Sequence, residues 1–297
     1  MNEQAKSIIV PGLVVPGEQA ARELPRLAAP LVYVTGGKGG VGKSQVCLNL
    51  ACELGKRGRR VLLVDLDLGL GNLAVMLKKS TPASLEDYLD GKASIEDCRT
   101  SLGAEGPRGP HGAGAVDLLA GSAGSRELAR PDSARRARLF DGLRSLAPAY
   151  DLVLCDGAAG IGPDVLAFAG AADSVLAIAT PEPASVTDVY GILKAISAWS
   201  ESAGVEVPTP GLVLNRVSGP AEATSLVARL SQVTRRFLSR SPRLVGWVPE
   251  SRSVREAVQA QRAFVQSAPR CLASQCMSRL AARIEAVCGL GKARLEA

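Results

Sequence analysis

The sequence contains little of several residue types that particular functions require. Its one histidine, His111, lies in a glycine- and proline-rich loop, so we expect no histidine-based metal site or catalytic triad. Aromatic residues make up only 3% of the chain, which leaves little material for recognising nucleic acid through base stacking. No window of 18 consecutive apolar residues occurs, and the apolar run at residues 8–15 is interrupted by Pro11 and Gly12. We therefore expect neither a membrane-spanning helix nor a secretory signal.

Cysteine is present but is not arranged for metal binding. The seven cysteines include no Cys-x-x-Cys pair, which argues against an iron–sulfur carrier. Their odd number and their positions inside apolar helix and strand patterns predict reduced thiols in the core of a cytoplasmic protein. The net charge of +6 permits attraction to nucleic acid or anionic lipid. Because the arginines are spread over several predicted helices, the charge establishes neither partner.

One stretch is rich in glycine and lysine. Residues 35–44 read Thr-Gly-Gly-Lys-Gly-Gly-Val-Gly-Lys-Ser, after an apolar run typical of a strand and before apolar residues at helical spacing. Strand, glycine loop and helix in this order are the context of a phosphate-binding loop. The glycines allow backbone N–H groups to point at phosphate oxygens, and the helix adds the positive end of its dipole. An ordinary glycine turn is the alternative, and the flanking strand and helix count against it.

Two side chains of this stretch are predicted to act on the nucleotide directly. Lys43 is expected to reach the β- and γ-phosphates of ATP, and the Ser44 hydroxyl is expected to ligate Mg²⁺. The predicted nucleotide-binding residues of the loop are Gly37, Lys38, Gly39, Gly40, Val41, Gly42, Lys43, Ser44 and Gln45.

The rest of the chain alternates strand patterns with helix patterns. Strands are predicted at residues 31–34, 60–64, 116–119, 151–156, 174–180, 211–215 and 244–248. Helices are predicted at residues 84–91, 133–146, 184–201, 221–238, 254–264 and 269–287, with another starting at residue 94. This alternation predicts a single α/β domain, with one doubly wound, mostly parallel sheet flanked by helices.

The predicted domain has an extension on each side. We place the P-loop ATPase domain at residues 31–288, after a flexible extension at residues 1–30 and before a short tail at residues 289–297. Within the domain, residues 103–115 form a glycine- and proline-rich stretch without periodicity. We expect this stretch to be a mobile insertion.

Three aspartates follow predicted strands. Asp65 and Asp67 come after the strand at residues 60–64, and Asp156 ends the strand at residues 151–156. Ligands of α/β proteins bind at the carboxyl ends of strands, so these carboxylates are expected beside the phosphates. We assign Asp156 to a water on Mg²⁺, Asp67 to the attacking water, and Asp65 to support of the metal or the loop. Residues 157–161 would sense the γ-phosphate as a switch. Each aspartate alone could instead be a helix cap or a solvated strand end.

The early lysine of the loop points to a family. Residues 38–44, Lys-Gly-Gly-Val-Gly-Lys-Ser, resemble the deviant Walker A motif of the MinD/ParA superfamily, and Asp156 resembles its Walker B aspartate. In that family the early lysine, here Lys38, crosses a dimer interface and contacts the phosphates of the partner's nucleotide. The resemblance implies a Mg²⁺-dependent ATPase that is active as a nucleotide-sandwiched homodimer. Its catalytic residues would be Lys38, Lys43 and Asp67.

Further motifs resemble one branch of this superfamily, the FlhG/FleN proteins that regulate the number and placement of flagella. They are Asp-Leu-Asp-Leu-Gly-Leu-Gly-Asn-Leu at residues 65–73, Gly-Ser-Ala-Gly at residues 121–124 and Pro-Glu-Pro-Ala-Ser-Val-Thr-Asp-Val-Tyr at residues 181–190. The resemblance covers residues 31–288. It implies that Asn215 and Arg216 contact adenine, with Pro249 and Glu250 near the base.

The chain departs from the branch at several positions. Ala74 stands where relatives have an aspartate, and the stretch at residues 103–115 is longer than the usual turn. The amino end matches only partly the element with which FlhG proteins stimulate a partner GTPase. Activation of an FlhF-like GTPase therefore stays open for the extension, and a disordered arm is the alternative.

The predicted last helix has an apolar stripe with two interpretations. The stripe consists of Leu272, Cys276, Leu280, Ile284 and Val287. It fits either a core helix or a helix that binds peripherally to the cytoplasmic face of the inner membrane. Both interpretations stay open at this point.

Three functions compete on these observations. The leading interpretation is an ATP-driven spatial regulator of the FlhG/FleN type, which acts with protein partners of a positioning system. The second is a MinD-like septum-site ATPase or a ParA-like DNA- or cargo-positioning ATPase, with nonspecific DNA as the less favoured partner. The third is a nucleotide-locked adaptor that binds ATP with little turnover.

Overall fold

An eight-stranded sheet lies at the centre of the protein. The structure is a computed structural model, and it describes residues 26–67, 71–103, 114–121 and 133–290. The strands within these residues are β1 (Leu31–Gly36), β2 (Arg60–Asp65), β3 (Arg99–Ser101), β4 (Ala115–Leu119), β5 (Leu152–Ala159), β6 (Ser174–Ala179), β7 (Gly211–Val217) and β8 (Leu244–Pro249). Their order across the sheet is β3-β4-β2-β5-β1-β6-β7-β8, and only the β3–β4 pair is antiparallel. The predicted doubly wound, mostly parallel α/β fold is confirmed.

Helices cover both faces of this sheet. Those of the described residues are α1 (Lys43–Lys56), α2 (Leu73–Met76), α3 (Leu85–Leu89), α4 (Ser133–Leu146), α5 (Pro163–Ala171), α6 (Pro183–Ala203), α7 (Pro220–Leu238), α8 (Arg252–Gln259), α9 (Phe264–Ser267) and α10 (Leu272–Val287). In β1, Leu31 and Tyr33 join the apolar core on one face, and Val32 and Val34 join the core on the other. Successive side chains of a strand point to opposite faces, so a strand that is apolar throughout needs helices on both sides.

The helix predicted to start at residue 94 is a single turn. Ser94 N–H donates to Asp97 Oδ2 at 3.1 Å, and Asp97 N–H donates to Ser94 Oγ at 3.2 Å. These are the reciprocal hydrogen bonds of a helix start. The chain nevertheless leaves the turn for β3, because pairing with β4 satisfies the backbone groups that a longer helix would have used.

The helix predicted at residues 254–264 is divided into α8 and α9. Between them, Gln261 takes a left-handed conformation with φ 53°. Its side-chain Nε2 donates to the backbone oxygen of Val75 at 2.7 Å. A left-handed residue cannot continue a right-handed helix, so the two segments are separate.

The last helix, α10, belongs to the core. Cys276, Leu280 and Ile284 are buried, whereas Leu272 and Val287 are 50% and 65% exposed. The helix packs on α1 and β8. The apolar stripe is therefore mainly the face that packs against the domain. No helix of the described residues is long and apolar enough to cross a membrane.

Several predicted segments lie outside the described residues. They are residues 1–25 of the extension, 68–70 of the aspartate motif, 104–113 of the predicted insertion, 122–124 of the Gly-Ser-Ala-Gly motif and 291–297 of the tail. The limits of the domain and its two extensions stay predictions.

Strand register gathers the predicted site at one edge of the sheet. Asp65 of β2 lies opposite Asp156 of β5, and Gly36 of β1 lies opposite Ala159 of β5. Because these strands are parallel, their carboxyl ends meet at the same edge. The glycine loop after β1 thus adjoins the aspartates of two neighbouring strands.

Candidate functional site

The glycine loop forms a cradle at the amino end of α1. Gly40 and Gly42 have φ angles of 82° and 94°, a left-handed conformation that favours glycine. A Cβ atom on Gly42 would lie 2.2 Å from Nδ2 of Asn215, and one on Gly37 would lie 2.1 Å from Cβ of Asp188. The loop therefore has no room for side chains at these two positions. Backbone N–H groups at such a helix start form an anion cradle.

Lys43, Ser44 and Asp156 meet at this cradle. Lys43 and Asp156 are both buried, and the Ser44 side chain lies beside the Asp156 carboxylate. Burial, and after it the negative charge of Asp65, raises the pKa of Asp156 to about 7. In the described part of the chain, Asp156 Oδ1 has no hydrogen-bond partner. A buried carboxylate oxygen without a partner is costly and favours a cation beside it.

These groups fit Mg²⁺. This ion prefers oxygen ligands, keeps several waters and is usually held by one or two protein groups together with substrate phosphates. The Ser44 hydroxyl and the Asp156 carboxylate are groups of this kind, and they would hold the ion. Bound Mg²⁺ would neutralise charge on the phosphates. No group of three or more His, Cys, Asp or Glu side chains suited to a metal occurs within the described ranges.

Asp65 has a different environment from Asp156. It is buried, and its two carboxylate oxygens accept hydrogen bonds from the backbone N–H groups of Asp67 (3.2 Å) and Leu73 (3.0 Å). Burial nevertheless raises the pKa of Asp65 to about 6. These contacts fit support of the loop rather than direct contact with the ion. Asp67 itself is half-buried at the same edge, directly before residues 68–70.

The predicted switch at residues 157–161 begins inside a strand. β5 continues through Ala159, which is paired with Gly36. Gly160 then donates its N–H to Gly36 O at 3.1 Å. A Cβ atom on Gly157 would lie 2.4 Å from the hydroxyl oxygen of Tyr33, so this position too is restricted to glycine. The segment is therefore hydrogen-bonded to Gly36, the first glycine of the loop.

A cavity of about 300 Å³ lies beside the start of α1. All four residues predicted to lie at the adenine base line it, together with two residues of the glycine loop. These six residues are Asn215, Arg216, Pro249, Glu250, Gly42 and Gln45. Residues from three separate parts of the chain thus converge where the base of a nucleotide in the cradle would be expected.

Asn215 uses its side-chain amide on the glycine loop. Its Nδ2 donates to Val41 O at 2.9 Å, and its Oδ1 accepts from Arg216 N–H at 3.0 Å. Arg216 has a left-handed φ of 58°. Asn215 therefore positions the loop in addition to lining the cavity.

The sequence did not indicate that α8 forms one wall of this cavity. Val254, Arg255 and Val258 line it, and Arg255 Nη1 lies 2.7 Å from Glu250 Oε1. This ion pair is exposed, so its contribution to stability is small. The helical pattern in the sequence predicts that this helix exists, but it does not show which residues lie next to the helix in the fold.

Lys38 lies at the open side of the cradle. Its Nζ is 3.9 Å from Glu182 Oε2, and both side chains are exposed. Glu182 Oε2 also accepts a hydrogen bond from Thr180 Oγ1 at 2.5 Å. Ser185 stabilises the turn at residues 180–185, because its Oγ accepts a hydrogen bond from Thr180 N–H at 3.0 Å. The motif at residues 181–190 therefore contacts the glycine loop, and Glu182 joins the site residues.

Together, the glycine cradle, the buried lysine and the serine–aspartate pair define a P-loop nucleotide-binding protein. Residues 32–264 match the family described as CbiA, the CobQ/CobB/MinD/ParA nucleotide binding domain. The match covers more than half of the chain, and the chain belongs to this family.

Similar proteins include two flagellar ones. Antiactivator FleN of Pseudomonas aeruginosa is 34% identical over 255 residues, with 86% of each chain covered. The flagellum site-determining protein YlxH of Helicobacter pylori is 28% identical over 253 residues, which covers 84% of this chain and 80% of that protein. Among solved structures, the cell division ATPase MinD of Pyrococcus furiosus has a TM-score of 0.67 at 26% identity and covers 87% of this chain and 99% of its own. The predicted MinD/ParA, FlhG/FleN-like relationship is confirmed.

Proposed function

We propose that this protein is a Mg²⁺-dependent ATPase that dimerises around ATP and controls the number or placement of flagella. The observation that most supports dimerisation around ATP is the position of Lys38. Lys43 is buried against the cradle and supplies a cation to the nucleotide of its own chain. Lys38 is exposed at the open side, where a second chain could approach. A second lysine in this place suits phosphates that belong to a partner.

The roles of the remaining site residues follow from their contacts. Lys43 would stabilise charge on the β- and γ-phosphates, and Ser44 with Asp156 would hold Mg²⁺. Asp67 would orient the attacking water, and Asp65 would hold the backbone that carries it, as its hydrogen bond from Asp67 N–H supports. Asn215, Arg216, Pro249 and Glu250 would bind the base.

Lys38 has to change partner when a dimer forms. Its present contact, Glu182, is an exposed carboxylate at 3.9 Å, and such surface pairs contribute only about 0–1 kcal/mol. A triphosphate of the partner carries more negative charge than one carboxylate, so it would attract Lys38 more strongly than Glu182 does. Charge neutralisation across the interface would then make dimerisation depend on ATP.

The biological role rests on the relatives. A 34% identity over 86% of both chains to an antiactivator named FleN supports a flagellar role over septum placement or DNA positioning. We propose a cytoplasmic protein that acts with partners of the flagellar positioning system, among which an FlhF-like GTPase is one candidate. Peripheral binding to the inner membrane would have to use residues beyond α10, because the stripe of that helix is mostly buried.

Sedimentation tests the dimer. With Mg-ATP, the wild-type chain is expected to sediment as a dimer and to release phosphate, and Lys38→Ala is expected to bind ATP as a monomer without turnover. Lys79→Ala removes another exposed lysine, outside the glycine loop, and is the control. A dimer of Lys38→Ala with wild-type phosphate release would contradict the proposal. ATP-bound dimers that release no phosphate would instead support the nucleotide-locked adaptor.

A genetic test addresses the role. Deleting the gene in its own host is expected to change flagellar number or position and to leave septa in place. Normal flagella with misplaced septa would support the MinD-like alternative. Salt-sensitive binding of the protein to nonspecific DNA would support the ParA-like alternative.

A further inference from the structure

An apolar groove lies between α6 and α7, near the edge of the sheet that carries the glycine loop. Its volume is about 410 Å³, and Val186 and Tyr190 of α6 face Leu226, Leu230 and Val233 of α7 across it. Pro181 and Pro183 close the end nearest the glycine loop. We name this feature the α6–α7 groove. It is separate from the cavity that the adenine residues line.

The α6–α7 groove continues into exposed apolar surface. Val233 is 44% exposed, and Phe237, one turn further along the same face of α7, is 63% exposed. Concave grooves that are lined mainly by apolar side chains are the usual form of binding sites on proteins. An apolar segment that binds in the groove would remove this surface from water, which is favourable.

The sequence contains one candidate segment outside the described residues. Residues 8–15 read Ile-Ile-Val-Pro-Gly-Leu-Val-Val, with six aliphatic side chains in eight positions. The other stretches outside the described residues, at 68–70, 104–113, 122–132 and 291–297, have at most two leucines each.

The length of chain between this segment and the described domain is sufficient. Residue 26 lies five residues before β1, and α6 contacts β1. From Ala203 back to Tyr190, α6 extends about 20 Å at 1.5 Å per residue. The eleven steps from residue 15 to residue 26 can span roughly 36–40 Å when extended. Residues 8–15 can therefore reach the groove of their own chain.

We infer that residues 8–15 bind in the α6–α7 groove of the same chain, with their aliphatic side chains between Tyr190 and Val233. The bound segment would lie against Pro181 and Pro183, the residues on either side of Glu182, which is the contact of Lys38. Occupation of the groove would hold the turn that carries Glu182. Any effect of this on dimerisation rests on the proposed function, whereas the binding itself does not.

Photo-cross-linking of the full chain tests the binding. The photoreactive residue p-benzoylphenylalanine replaces Val14, and the nucleotide-free monomer is isolated before irradiation. We expect intramolecular cross-links that map to residues 183–190 or 226–233. Val233→Glu, which places a carboxylate in the groove, is expected to lower the cross-linked fraction about fivefold or more. Val287→Glu is the matched control because Val287 is an exposed valine on α10, and it is expected to leave the fraction unchanged.

Other occupants of the groove give different results. Cross-links that join two chains would mean that a second copy fills it and would overturn the inference. Cross-links outside the groove, or a yield that Val233→Glu does not lower, would overturn it as well. Because the experiment contains no ATP, failure of dimerisation or hydrolysis does not affect its result.

Discussion

Substitution of Gly37 by alanine tests how the glycine loop is held. The added Cβ atom would lie 2.1 Å from Cβ, 2.6 Å from the carbonyl carbon and 2.8 Å from Cα of Asp188. Two of these three atoms belong to the backbone of α6, so a change of side-chain rotamer cannot relieve the contact. Either the loop or the first turns of α6 must move.

The magnitude follows from overpacking. An extra methyl group in a packed site costs about 1–3 kcal/mol, and in a domain of this size each kcal/mol lowers the melting temperature by about 2–4 °C. We therefore expect Gly37→Ala to melt roughly 2–12 °C below the wild-type chain without nucleotide. ATP affinity should also fall, because the displaced loop no longer directs its N–H groups at one phosphate position.

Gly39 provides a matched control two residues away. A Cβ atom there meets nothing within 4 Å, so Gly39→Ala is expected to keep the nucleotide-free melting temperature. Differential scanning calorimetry of both variants and titration with a fluorescent ATP analogue measure the two effects. Equal melting temperatures for Gly37→Ala and the wild-type chain would refute the close approach of the loop to α6.

Two further predictions separate the aspartates. Asp67→Ala is expected to bind ATP and accumulate as a dimer with little hydrolysis, because it would lose the group that we propose to orient the attacking water. Normal phosphate release by this variant would remove Asp67 from the mechanism. Burial raises the pKa of Asp156 from 3.8 to about 7, so the folded state loses stability as the pH rises from about 4 to about 7, and the whole loss is present above pH 7. Asp156→Asn is therefore expected to stabilise the nucleotide-free protein by about 1–4 kcal/mol at about pH 8 and to weaken Mg²⁺-dependent ATP binding. Thermal melts and Mg²⁺ titrations measure both effects, and a less stable variant would contradict the raised pKa.

The sheet and the glycine loop could be predicted because their signals are local. β1, β2, β5 and β6 are continuous apolar runs, which is the pattern of strands buried on both faces. The loop carries its phosphate-binding glycines, Lys43 and Ser44 in one short stretch. Such features need no knowledge of the rest of the fold.

The missed elements depend on tertiary contacts or lack a pattern. α5, Pro163–Ala171, is almost wholly buried, so it shows no polar face from which helical periodicity could be read. β3 has three residues and exists through its pairing with β4. The turn at Ser94 satisfies a helix start locally and yields to that pairing.

For the site as well, the sequence predicted individual residues but not the contacts between them. The sequence indicated Asp156 and Asp65 from strand ends, but only hydrogen bonds distinguish them, since Asp65 accepts from two backbone N–H groups and Asp156 retains an unpartnered oxygen among the described residues. Arg255 and Val258 line the cavity predicted for adenine together with Asn215 and Arg216 of β7 and Pro249 of β8, which are distant from them or from each other in the sequence. A linear pattern does not contain that arrangement.

The attachment of α10 has a consequence for the orientation of the whole protein. Buried Glu285 binds Arg57 and Arg59, which follow the carboxyl end of α1, and Arg59 Nη2 also donates to Leu290 O at 2.7 Å. Since the glycine loop is at the other end of α1, about 21 Å away for 14 helical residues, the chain leaves the described domain at the end opposite the nucleotide. If a surface or a fused reporter were attached beyond residue 290, the glycine loop would therefore face away from the attachment. A tethered molecule would then keep its glycine loop accessible to a second copy of the chain, as the proposed dimer requires.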